Sequence, residues 1–521
     1  MTAPITRYAR ASSGLVRELS WWDVFLITLS APTGSGIMYY AVRTSGHPGG
    51  NISLAFVLGM ILFLPFVISS AILASTLPRS GGPYVAISRL LHPLIGFLAA
   101  ALLIFAESSL IGVVGFLVMA ISGGMAGGVA QAYHWGALLS FSECLQGPIG
   151  SIGGGILWVL IFWFIMLQRP SVFRYLLRGL FTITLLPAAV AALLFFSATQ
   201  SEALARFDAL WGAGTVQKIF LAASANGWHQ DAFSFSATMG LLLIVIWAFN
   251  GIEVASYAGG EVQVPTRSFW KGLLLGWLAV GAVYILFVYA VTRSFGDFIN
   301  AYDFLFTSHS ETLSQIMPSI TPSIPFYLMP LLRHPFIALL FSLLFVLWFA
   351  KMMPPLHLAT SRLLFALAMD RLLPERVATV NPRTAAPTWA SHITALIAIG
   401  GVFMYFFDVK TLLGSLMFCT MFIAWANGLV LFLLPFKHRD LVPPGWLRAR
   451  VLVLPAVSWV GLVAMAAGFF LLYLTLRDVT RSVLVALLLF IASILSFYVL
   501  RVRALRAEGF TTAGAELLPP D

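Results

Sequence analysis

Apolar residues run along this chain in long blocks, separated by shorter polar stretches that hold much of its Pro, Asp, Lys and Arg. Block length decides the reading. A helix rises about 1.5 Å per residue, so roughly 20 apolar residues cross the ~30 Å hydrocarbon layer of a bilayer. About twelve blocks meet that length, roughly 22–43, 52–76, 93–121, 152–168, 178–198, 237–259, 271–293, 336–358, 388–406, 411–434, 451–475 and 482–501. They predict an all-α integral membrane protein. The eighth block is expected to continue as helix past Arg362. Two connections, roughly 199–236 and 294–335, are longer than ordinary loops. The first carries a helical pattern over Ser201–Phe220, and the second is rich in Pro and Ser. They read either as a cap over one mouth of the protein or as loosely ordered loop.

Composition agrees with the pattern. Of 521 residues, 60% are hydrophobic and only 10% charged, with a mean hydropathy of +0.93. Soluble proteins carry about 25% charged residues. The net charge of +10 follows from Lys and Arg gathering in loops on one side of the membrane. With the N-terminus inside, the outward segments hold only Arg43, Arg206, Lys218, Arg293, Arg333, Lys410, Arg477 and Arg481 of 30 Lys and Arg. Both termini are therefore expected in the cytoplasm. No basic run with interleaved aromatics supports nucleic-acid binding. The first block begins at Trp21, is too long for a signal-peptide core and has no small-residue cleavage site after it, so it reads as an uncleaved helix. Cys144 falls in an outer loop and Cys419 in a span, which predicts no disulfide and no metal framework. No cofactor is expected. Nothing resembles a nucleophile or metal motif, so the chain is not read as an enzyme.

Two spans are interrupted. Ala31-Pro32-Thr33-Gly34-Ser35-Gly36-Ile37 lies in the first, and Trp247-Ala248-Phe249-Asn250-Gly251-Ile252-Glu253 in the sixth. Backbone N–H and C=O groups cannot stay unpaired in lipid, so a broken helix at mid-membrane lines a protein cavity. Paired breaks in two halves of a chain point to a transporter binding site. At the first break, small Gly34, Ser35 and Gly36 leave N–H groups open to an anion such as a carboxylate, helped by the dipole of the next half-helix. At the second, freed carbonyls can accept from an amine. Trp247 offers a ring for stacking or for a cation, worth about 0.5–2 kcal/mol, unless it only fills space.

These residues resemble a family. Trp247-x-Phe249-x-Gly251-x-Glu253 with Glu261-Val262-x-x-Pro265-x-Arg267 is similar to the sixth-helix signature of the amino acid–polyamine–organocation (APC) superfamily permeases. Gly34-Ser35-Gly36 resembles their first-helix motif. Pro78-Arg79-Ser80-Gly81-Gly82-Pro83-Tyr84 with Ser88-Arg89 and His92-Pro93 resembles their loop between helices two and three. Ser361-Arg362 with Asp370-Arg371-Leu372-Leu373-Pro374 resembles the end of their eighth helix, although the family usually has Gly where Arg371 stands.

The resemblance, over roughly 18–435, implies a LeuT-type architecture. It has two inverted five-helix repeats (20–198 and 237–434), an outer loop (199–236) between them, a cytoplasmic segment (1–19) before them, and two further helices with a tail (435–521). Helices one, two, six and seven would rock against a scaffold, with the substrate between helices one, three, six and eight. Thr33, Gly34, Ser35 and Gly36 would hold a carboxylate, and Phe249, Asn250 and Gly251 an amine. Trp247 would close over the substrate.

Intramembrane charges refine this. Glu107 falls mid-span, where a charge costs about 2.5–3.5 kcal/mol on insertion scales; by the resemblance it lines the site. It is read as facing a cationic side chain, as a proton site, or as a structural hydrogen-bonding group. Glu253 is read as a gating and proton-linked residue, or as an acceptor of backbone N–H bonds that holds the broken helix. Lys351 is expected either to pair with Glu107 or to line the outer vestibule. His357 faces the pathway or is a satisfied structural histidine.

The reading is an amino acid permease of the plasma membrane, proton-coupled or exchanging, with cationic amino acids as candidate substrates. H⁺ or Na⁺ are candidate coupling ions, the lipid bilayer is its surroundings, and an oligomer is compatible. A polyamine or diamine transporter is the nearest alternative. A non-transporting nutrient sensor is another, disfavoured because only a short stretch follows Arg506.

Overall fold

A computed structural model describes residues 9, 12–34, 40–43, 46–230, 232–404, 409–477 and 480–510. Its membrane helices, in chain order, are α1 (Trp21–Ser30), α2 (Ile52–Thr76), α3 (Pro93–Ala132), α4 (Pro148–Met166), α5 (Pro170–Ser197), α6 (Phe235–Phe249), α7 (Pro265–Phe295), α8 (Pro335–Met369), α9 (Thr388–Met404), α10 (Val409–Lys437), α11 (Ala456–Arg477) and α12 (Arg481–Ala507). Among the described residues, ten helices are long and apolar enough to span a bilayer. The two expected spans that fall short are α1 and α9, of 10 and 17 residues. The protein is thus an all-α, multi-pass membrane protein.

Local chemistry sets the starts of these helices. Ser20 and Asp23 form a capping box on α1, and Asn51 caps α2. Prolines open α3, α4, α5, α7 and α8, where a missing N–H costs nothing. α3 is longer than its apolar block. It runs 40 residues, about 60 Å at 1.5 Å per residue. Its last turns, from Ser122, are rich in Gly and Ala, which lowers hydropathy without stopping the helix. Those glycines permit close contact: a Cβ on Gly123 would lie 2.7 Å from Gln146 Cγ, and one on Gly128 3.2 Å from Ile320.

α1, α2, α6 and α7 pack on one another, and α3, α4, α8 and α9 form a second group; α10 pairs with α11, and α12 lies on α3. The end of the bundle that carries residues 12–20 is called the N-terminal face below.

The long connections are ordered, so the expectation of loose loop does not hold. Helices Gln200–Trp211 and Thr215–Ala225 fill the first. The single helix suggested over Ser201–Phe220 is divided at Gly212 and Gly214, with φ +111° and +75°. Helices Phe298–Ser308, Ser310–Ile316 and Ile324–Leu332 fill the second. They form a cap over the face opposite the N-terminal one, with Phe207, Phe298, Tyr302, Phe326 and Tyr327 buried in its core. Burial of these aromatic rings is what orders it.

Candidate binding site at the helix breaks

The two interrupted spans meet. α1 ends at Ser30 and the chain turns through Ala31 and Pro32. α6 ends at Phe249; Asn250 is extended (φ −61°, ψ 138°) and Gly251 takes φ +88°, a conformation that favours glycine. A Cβ on Gly251 would sit 3.2 Å from Ala31 Cβ, so the breaks touch. From α7, the Tyr284 phenol reaches the carbonyls of both: 2.7 Å to Pro32 O and 2.6 Å to Ala248 O. Sequence reading missed Tyr284, because a tyrosine in an apolar run carries no signal of what it bonds.

The expected site residues divide. Thr33 donates its hydroxyl back across the turn to Leu29 O of α1 at 2.6 Å. Gly34 faces α8: a Cβ there would lie 2.3 Å from Met352 Sδ and 2.8 Å from Trp348 O. Ser35 and Gly36 lie outside the described residues. Trp247 is half-buried, and its carbonyl accepts from Asn250 N–H at 3.2 Å. The Phe249 ring stacks on Phe63 and meets Tyr284 edge-on in the packing of α2 and α7. Only its backbone is left for an amine. Asn250 is buried, and among the described residues its Oδ1 has no hydrogen-bond partner.

Glu107 and Glu253 are both buried, at 2% and 1% exposure. Among the described residues, Glu107 Oε2 and both carboxylate oxygens of Glu253 find no side-chain or neighbouring hydrogen-bond partner. Of the described backbone groups, only Glu253's own N–H acts on its carboxylate. Each buried polar atom left unpaired costs about 1–3 kcal/mol, so their concentration here marks a place built for something polar. The two carboxylates lie within electrostatic reach of each other; the Tyr257 hydroxyl lies in the field of both, and Cys419 in that of Glu107.

Lys351 does not pair with Glu107. It sits where α8 is interrupted, between the helical stretches Pro335–Ala350 and Met353–Met369, and its Nζ lies 3.5 Å from the Trp348 ring centroid. Backbone direction at that turn, not charge, decides where the side chain goes. His357 is buried with Nε2 unpartnered, so it is not the satisfied structural histidine considered above. The arrangement gathers acceptor oxygens (Glu107, Glu253, Asn250 Oδ1) by the second break and sets a buried amine (Lys351) in the turn of α8. Among the described residues, no three His, Cys, Asp or Glu are grouped to hold a metal ion.

Buried ion pairs close the N-terminal face. Arg362 of α8 grips Glu261 with two bonds of 2.6 and 2.8 Å. Arg89 binds Asp370 at 2.6 Å, and Tyr84 donates to the same carboxylate. Leu19 pairs with the segment after the second break, donating to Glu261 O at 2.9 Å. The motifs contained Glu261, Arg362, Arg89 and Asp370, but nothing in the sequence said which would pair. Arg371, the departure from the family's Gly, takes φ +60° at the end of α8. Its carbonyl accepts from Arg501, and its guanidinium covers the Phe510 ring at 4.4 Å. These contacts offset the cost of a left-handed non-glycine residue.

The model of a family described as amino acid permease matches residues 19–495. The branched-chain amino acid permease BcaP of Bacillus subtilis (strain 168) is 22% identical over 407 residues, 73% of this chain and 74% of that protein.

Proposed function

This chain belongs to the amino acid permease family, which makes it an amino acid transporter rather than an enzyme, and from that premise we propose how it works. It carries its substrate across the plasma membrane by alternating access, with both termini cytoplasmic. The group α1, α2, α6 and α7 rocks against α3, α4, α8 and α9, and the repeats are 20–198 and 237–434. N–H groups at Thr33, Gly34, Ser35 and Gly36 take the substrate carboxylate. Carbonyls and Asn250 at the second break take the amine, and Trp247 closes over it.

The observation that carries the reading is the pair Glu107 and Glu253, buried beside the breaks with three of their oxygens unpartnered. A carboxylate pair in a low-dielectric site needs a positive charge to offset it. We assign that charge to a cationic substrate side chain. A second reading has a neutral branched-chain substrate and a proton on the pair. It is favoured by the name of the Bacillus relative.

Uptake into proteoliposomes with labelled lysine, arginine, ornithine, leucine, isoleucine and valine, with and without a pH gradient, separates the two. Preference for the basic amino acids supports the first. Leucine-type uptake that follows the pH gradient supports the second. Absence of amino acid uptake overturns both.

A further inference from the structure

Lys351 is fully buried, and among the described residues its Nζ has no hydrogen-bond acceptor and no carboxylate. Intramembrane charges are rare, and when present they normally find a partner or a function. The surroundings of Lys351 offer its amine a ring face and a helix end but no counter-charge. Its ammonium rests on the Trp348 ring, 3.5 Å from the centroid. It also lies at the C-terminal end of the helix Pro335–Ala350, where the dipole favours a cation. Trp348 is a fixed platform, since its Nε1 donates to Thr184 O of α5 at 3.1 Å.

The backbone here is open as well. Pro354 and Pro355 have no N–H, so Ala350 and Lys351 carbonyls lose their usual helical donors. Against this turn lies the first break, with Gly34 in contact with Trp348 O and Met352. A buried amine without a counter-charge thus belongs to the turn that Gly34 lies against, and neither Glu107 nor Glu253 is paired with it.

We propose that Lys351 is the carboxylate anchor of the substrate site, sharing that group with the backbone at Gly34. The proposal rests on the amino acid reading above and deepens it. Substrates must carry a carboxylate as well as an amine. The Trp348 ring holds the ammonium between turnovers, and the carboxylate draws it off the ring.

Purified protein in proteoliposomes tests this with matched competitors: an amino acid that is transported, and the primary amine that lacks only its carboxylate. In the wild type the amino acid competes far better than the amine. Lys351→Met removes the charge at similar volume. It is expected to weaken the amino acid by about 10- to 150-fold, the loss of one charge-assisted hydrogen bond, and to leave the amine unchanged. Lys351→Arg keeps most of the preference. A folded Lys351→Met protein with the wild-type ratio of the two affinities overturns the proposal, as does equal weakening of both ligands.

Tryptophan emission of the unmodified protein provides an independent reading, which stands even where Lys351→Met does not fold. The amino acid and its deaminated carboxylic acid shift the emission, the amine does not, and Trp348→Phe abolishes the shift. No shift with any carboxylate overturns the proposal. A shift without transport leaves the anchor in place and removes the transport reading instead.

Discussion

The phenol of Tyr284 stands 2.7 Å from the carbonyl of Pro32, and the same oxygen stands 2.6 Å from Ala248 O. One hydroxyl proton therefore serves carbonyls of two interrupted helices. Tyr284→Phe keeps the ring against Phe56 and Phe249 but takes this donor from both carbonyls. Interhelical hydrogen bonds in membranes contribute about 0.6–1.7 kcal/mol. The variant should lose about that much, seen as a lower unfolding temperature in detergent, and bind substrate more weakly. Unchanged stability and affinity would show that the two breaks are held by packing alone.

Arg362 and Glu261 are exposed by only 4% and 2%, and removing one member of such a pair strands the other. Loss of one partner in a buried pair costs about 3–5 kcal/mol. Arg362→Met and Glu261→Gln should each destabilise the closed N-terminal face, and the double variant should recover part of the loss. A thiol at Ser80→Cys, in the packed loop between α2 and α3, reports this through its labelling rate. Labelling should rise in the single variants. An unchanged rate would show that this pair does not keep the face closed.

Glu107→Gln keeps shape and removes charge. If Glu107 faces a cationic side chain, basic amino acids lose about 1.5–3 kcal/mol of binding and neutral ones are spared. If it carries a proton, affinity is retained and uptake no longer responds to a pH gradient. Competition binding and pH-driven uptake on wild type and variant decide between these. No change in either assigns Glu107 a purely structural role.

Gly251 has φ +88° and faces Ala31 at 3.2 Å, so Gly251→Ala adds both backbone strain and a close contact. A left-handed non-glycine residue costs about 1–2 kcal/mol. Gly400 of α9 is the control, since a Cβ there meets nothing within 4 Å. Thermal unfolding should fall for Gly251→Ala and hold or rise for Gly400→Ala. Equal behaviour at both sites would mean that the break tolerates ordinary backbone.

The span pattern was legible because membrane thickness imposes block length, and the breaks were legible because glycine and asparagine stand out in an apolar run. Where residues are small, the signal fades: the end of α3 past Ile121 stays helical through packing that hydropathy does not register. Charges such as Glu107 and Lys351 were visible, but their partners were not. Pairing depends on which way a side chain leaves its helix, and one turn in α8 carries Lys351 to Trp348. Arg371 was visible as a departure from the family's glycine, and its φ of +60° supplies the physical reason for glycine at that position.

The cap has a mechanical consequence. Ile320 and Ser323 seat it on α3, against Gly128 and Met125, while Phe295 at the end of α7 packs on Tyr327 within it, and Asp303 holds Arg43 at 3.0 Å. It is thus bolted to both helix groups at once. Any displacement of one group past the other must be absorbed as shear inside these few helices. A binding protein raised against the cap would act as a brake on the whole machine without approaching the substrate.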